Sequence, residues 1–137
     1  MAALIRFKTR MFDITKERPN PINPIPGESL LLWLAEKTKG KLSMSQPGAE
    51  DWGWYCYVDW NGRSYMLGSC AYEEEDQGGP NEWLLQIEKQ RSLIERLRGR
   101  EKLGPDDQCV EFFQKLLKLN PSFPKYPSMR VVNAGRL

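Results

Sequence analysis

The sequence predicts an α+β fold, with an antiparallel or mixed four-stranded sheet in the order β-α-β-β-β-α-α and helices packed mainly on one face. Three observations predict it. Strand-like alternation recurs in short, separate stretches; helical stripes of apolar residues stand between and after them; and an Asn61-Gly62 turn signal joins two of the strands. Repeats and low-complexity tracts are absent. A length of 137 residues fits one domain spanning 1–137, able to bury about two-thirds of its unfolded surface.

The first strand is expected over Leu4–Thr9, with Ile5 and Phe7 on one face and Arg6 and Lys8 on the other. A loop over 15–27 follows, stiffened by Pro19, Pro21, Pro24 and Pro26. It reads as a spacer crossing one end of the sheet. Ser29–Lys39 is the first helix. Leu30, Trp33, Leu34 and Lys37 form its stripe, widened by Leu31 and Ala35, and Gly40 sits where a C-cap glycine belongs.

Asp51–Ala71 holds three of the five tryptophans and three of the five tyrosines. Asn61-Gly62 suits a two-residue type I′ turn, whose central positions both need positive φ. That turn pairs Trp60 with Arg63, Val58 with Tyr65, Cys56 with Leu67 and Trp54 with Ser69. One face then carries Trp52, Trp54, Cys56, Val58, Trp60, Tyr65, Leu67 and Ala71, and reads as core. The other carries Tyr55, Tyr57, Asp59, Ser64, Met66, Gly68 and Cys70, and is expected to be partly exposed.

Beyond an acidic loop over 72–81, Glu82–Gln90 alternates again, with Trp83, Leu85 and Ile87 facing the core. Ser92 and Glu95 match a capping box that starts a short helix over Leu93–Arg98, stopped by Gly99. Asp106–Leu119 is the last helix, carrying Val110, Phe113 and Leu117 in line and ending at Asn120-Pro121. The segment 122–137, with Phe123, Tyr126 and Met129 as anchors, is either an extended packed tail or a disordered one.

Composition narrows function. There is no histidine, which removes the commonest general base, the commonest metal ligand and the Ser-His and Cys-His nucleophile pairs. Cys56, Cys70 and Cys109 are an odd number without paired spacing, so reduced core thiols in a cytoplasmic protein are expected. No apolar run reaches the roughly 18 residues that cross a bilayer, and MAALIRFKTR is too short in its apolar part for a secretory signal. A net charge of +2 argues for no partner by bulk electrostatics. No cofactor and no metal site are expected; Glu73-Glu74-Glu75-Asp76 lacks the alternate spacing of a calcium loop.

The expected function is therefore binding without catalysis: a bacterial protein-binding domain of inhibitor or immunity type. Tyr55, Tyr57 and Met66 supply its anchors, and Glu73, Glu74, Glu75 and Asp76 steer a basic partner. A homodimer through the same face is a further arrangement of it. One alternative is nucleic-acid binding through the basic segment 89–102, where Arg91, Arg96, Arg98 and Arg100 stand beside Arg91–Glu95 and Arg98–Glu101 pairs at helical spacing. The other is a carboxylate-dependent enzyme built on Asp51, Asp59, Glu82 or Glu88.

Overall fold

The structure is a computed structural model that describes residues 2–73, 80–120 and 128–132, the last by backbone alone. In chain order its elements are β1 (Ala2–Thr9), a 3-10 turn at Ile14–Lys16, α1 (Glu28–Lys37), β2 (Ser43–Met44), β3 (Gly48–Glu50), β4 (Gly53–Trp60), β5 (Arg63–Tyr72), β6 (Asn81–Lys89), α2 (Leu93–Leu97), α3 (Gln108–Leu119) and β7 (Ser128–Val132).

The fold is α+β with an antiparallel sheet, but the sheet has seven strands rather than four. Its order is β2-β4-β5-β6-β1-β7, and β3 also pairs with β4. The three extra strands are all short. Runs of two and three residues in β2 and β3 carry no readable alternation. In β7 a tail segment pairs with β1, setting Met129 opposite Ile5 and Val131 opposite Ala3. The rest of the tail, with Phe123 and Tyr126, lies outside the described residues, as do 74–79.

The central hairpin has the expected register: Trp60 faces Arg63, Val58 faces Tyr65, Cys56 faces Leu67 and Trp54 faces Ser69. Asn61 and Gly62 take φ of 51° and 83°, as a type I′ turn demands. Alternation then sends Trp54, Cys56, Val58, Tyr65, Leu67 and Ala71 to one face, joined by Trp83, Leu85 and Ile87 of β6 and Ala3, Ile5 and Phe7 of β1. Leu30, Leu31 and Leu34 of α1 and Cys109, Val110, Phe113 and Leu117 of α3 bury against that face. Each such aliphatic or phenyl side chain removed from water contributes about 1.5–3 kcal/mol. Trp33, expected in the stripe of α1, stays half-buried beside Phe12, their ring centroids 6.3 Å apart.

Two polar devices cap the longer helices. Asp107 caps α3 by accepting from the Val110 amide, and its second oxygen accepts from the Tyr65 hydroxyl at 2.7 Å. That bond, after burial itself, raises the Tyr65 pKa. Glu17, from the proline loop, accepts from the amides of Gly27, Glu28 and Ser29 and so caps α1 from eleven residues upstream of Glu28. An acidic group there also meets the positive end of the helix dipole. The α2 capping box forms as expected, Ser92 and Glu95 each accepting from the other's amide.

Candidate functional site

Alternation leaves Tyr55 and Tyr57 of β4, Met66, Gly68, Cys70 and Tyr72 of β5, and Leu84, Gln86 and Glu88 of β6 on the second face of the sheet. Tyr57 and Tyr72 are 44% and 52% exposed, whereas Cys70 between them on β5 is buried. Tyr55 and Met66 are half-buried, and the Tyr55 and Tyr57 rings meet edge to face with centroids 5.7 Å apart.

Trp52 belongs to this face, not to the core face on which alternation placed it. Glu50 pairs with Gly53, so Asp51-Trp52 is the two-residue turn of the β3–β4 hairpin, and strand alternation does not run through it. Gly53 has φ of +148°, and a Cβ there would lie 2.4 Å from the Ser69 carbonyl oxygen. The chain therefore turns where only glycine is at ease. Trp52 is carried to the other side, where its ring lies across Gly68; a Cβ on Gly68 would sit 2.7 Å from that ring.

These residues enclose a concave pocket of about 530 Å³. Trp52, Tyr55, Tyr57 and Tyr72 supply aromatic walls, while Met66, Cys70, Leu84 and Gln86 contribute further lining. Among the described residues that line it, Glu50 and Glu88 bring the only carboxyls and no side chain is basic. Among the described residues neither carboxylate is paired with a cation. Arg6, whose charge reaches the Tyr72 hydroxyl, pairs with Glu82 at 3.2 Å.

The proline loop holds this site in place. Asn20 donates its side-chain amide to the Glu50 and Gly53 carbonyls, each at 3.0 Å, and Asn23 donates to the Asp51 carbonyl at 2.7 Å. Arg18 donates to Glu28 and to the Pro47 carbonyl, and its guanidinium lies 4.9 Å over the Trp54 ring. The spacer is thus pinned to the turn that presents Glu50 and Trp52.

The thiol that lines the pocket is not poised as a nucleophile. Cys70 donates to the Tyr72 hydroxyl at 3.5 Å, and this bond, with burial, pushes Tyr72 up to about 12. Burial raises Cys70 as well, and takes Cys56 and Cys109 up to about 12. All three cysteines are free, buried and neutral at pH 7, without the thiolate that reactivity needs.

The other expected site residues are dispersed. Glu73 is exposed beside a smaller hollow of about 240 Å³ under the proline loop; Glu74, Glu75 and Asp76 lie outside the described residues. Arg96, Arg98 and Arg100 are exposed, and Arg91 donates to the Arg100 carbonyl. The Arg91–Glu95 and Arg98–Glu101 pairs do not form. Glu95 instead takes both prongs of Arg63 at 2.8 Å, and Glu101 takes Lys89 at 2.8 Å. Glu95 is accordingly held at about 2, chiefly by Arg63, and Glu101 below its usual range by Lys89. Asp59 accepts from the Gly62 amide in the hairpin turn, so of the four acids named for catalysis only Glu88 lines the pocket.

Glu50, Trp52, Tyr72, Leu84 and Gln86 were not singled out from sequence. The signal was in the glycines: a strand glycine marks close approach by another group, and Gly68 opposite a tryptophan-bearing turn is such a place. The chain matches no known protein family, no curated protein and no solved structure.

Proposed function

We propose that this chain is a non-catalytic protein-binding domain that docks a partner on the open face of its sheet. The observation that carries the reading is the pocket of about 530 Å³ walled by four aromatic rings on an otherwise finished fold. Aromatic and methionine side chains are what interface centres favour, and tyrosine gives large contact at little entropic cost. The two longer helices, α1 and α3, bury their apolar residues on the opposite face. Glu73, and with it Glu74, Glu75 and Asp76, follow directly on Tyr72 in the chain and steer a basic partner toward this rim. An inhibitor or immunity-type role, in a bacterial cytoplasm, follows where the partner is an enzyme whose active site this face covers.

The test is capture from a native lysate with three baits: wild type, Tyr57→Ala with Tyr72→Ala, and Arg96→Glu with Arg98→Glu. A protein retained by the first and third and lost by the second supports docking on the open face. Equal retention by all three contradicts it. Loss only with the arginine variant, together with recovery of nucleic acid, favours binding through Arg96, Arg98 and Arg100 instead.

A further inference from the structure

We infer that the open pocket receives an arginine side chain of the partner protein, an inference that rests on the docking reading above and names the chemistry of its anchor. Three observations converge. The walls are the aromatic rings of Trp52, Tyr55, Tyr57 and Tyr72, and the face of such a ring attracts a cation through its quadrupole. Two carboxylates, Glu50 and Glu88, line the same hollow and are unpaired with any cation among the described residues. Gln86 adds a neutral amide to the lining, and among the described residues no lysine or arginine lines the pocket. A hollow so charged and so walled is complementary to a cation.

A guanidinium meets these features better than an ammonium. It is planar, so it lies flat against an indole or phenol ring while its edge donates in a fork to a carboxylate. It is also less strongly hydrated, so its desolvation opposes binding less. The chain itself uses this arrangement elsewhere. Arg18 lies 4.9 Å over the Trp54 ring while its edge donates to Glu28. The pocket offers the same ring-plus-carboxylate combination with the arginine position open to a guest. Its volume of about 530 Å³ takes more than one side chain, so the residues flanking that arginine seat on Met66 and Leu84.

The probe is the capped peptide acetyl-Val-Arg-Val-amide, compared with the same peptide carrying citrulline, which keeps the shape and loses the charge. Each is titrated into the full chain while the Trp52 indole N–H resonance is followed. The arginine peptide is expected to move that resonance saturably with a Kd on the order of 1 mM. Citrulline in its place, or Glu50→Gln with Glu88→Gln in the protein, is expected to weaken binding roughly 10-fold. The amide spectrum of the double variant checks in the same experiment that its fold is kept. Equal response to the two peptides overturns the proposal, as does no response up to about 10 mM. A Trp52 resonance that shifts with protein concentration alone also overturns it, since the occupant is then a second copy. The two readings fail separately: a partner lost by Tyr57→Ala with Tyr72→Ala but bound undiminished by the Glu50→Gln, Glu88→Gln protein removes the arginine and leaves the docking face.

Discussion

Gly53 and Gly68 sit on adjacent strands, and replacing each by alanine is predicted to have opposite consequences. At Gly53 a Cβ lies 2.4 Å from the Ser69 carbonyl oxygen and 3.0 Å from the Cys70 Cβ, and φ is +148°. Ser69 is 1% exposed in a central strand and has nowhere to move. Backbone strain of about 1–3 kcal/mol and overpacking of about 1–3 kcal/mol combine to a loss of about 2–6 kcal/mol. That is a large part of the 5–15 kcal/mol that holds a typical domain together. At Gly68 the obstacle is the Trp52 ring at 2.7 and 2.9 Å, the far end of a half-buried side chain on the open face. The ring swings aside at about 1 kcal/mol, offset by the roughly 0.5–1 kcal/mol that alanine gains over glycine in an ordered strand. Gly68→Ala should therefore change stability by less than about 1 kcal/mol while displacing Trp52. Urea unfolding followed by fluorescence measures the first quantity, and near-ultraviolet circular dichroism of the folded protein reports the second. A Gly68→Ala protein as damaged as Gly53→Ala would mean that Trp52 is core. A harmless Gly53→Ala would mean that the turn is misplaced.

Trp54, 2% exposed, is predicted to cost about 3–5 kcal/mol on change to alanine in urea unfolding. Trp54→Phe should cost less, because the buried indole N–H has no protein hydrogen-bond partner to lose. Tyr57→Ala should leave the unfolding free energy from urea titration within about 0.5 kcal/mol of wild type while binding to the captured partner weakens. Asn20→Ala strips donors from the Glu50 and Gly53 carbonyls, so it should cost about 1–3 kcal/mol and speed amide exchange in the Asp51–Gly53 turn. Glu95 gives a pH signature. Its folded pKa is depressed to about 2, so its stabilisation is complete above the ordinary value of about 4.3 and disappears as pH falls toward the folded one. The stability difference between wild type and Glu95→Gln, measured by urea unfolding, should shrink across that window; a difference independent of pH would show that Arg63 does not hold the carboxylate.

The central hairpin was legible because Asn61-Gly62 dictates a turn and the turn dictates every pairing that follows. The open tyrosine-methionine face followed from the same register. Trp52 was not legible, because alternation holds only inside a strand and Gly53 ends it. Nor were β2, β3 and β7: two, three and five residues paired at the sheet's margins are stabilised by their neighbours rather than by their own pattern. Glu50 entered the pocket only once β3 folded back on β4. Arg63–Glu95 escaped for a related reason, since 32 residues separate the partners and helical spacing suggested a nearer one.

Docking on the open face is tested most directly by photocrosslinking in the native cell. A photoreactive aromatic residue replaces Tyr57 in one strain and Ile94, 62% exposed on α2, in another. A discrete adduct with one other protein is expected from position 57 and none from position 94. An adduct from position 94 alone, or no adduct from 57 in a protein that remains folded, would contradict it.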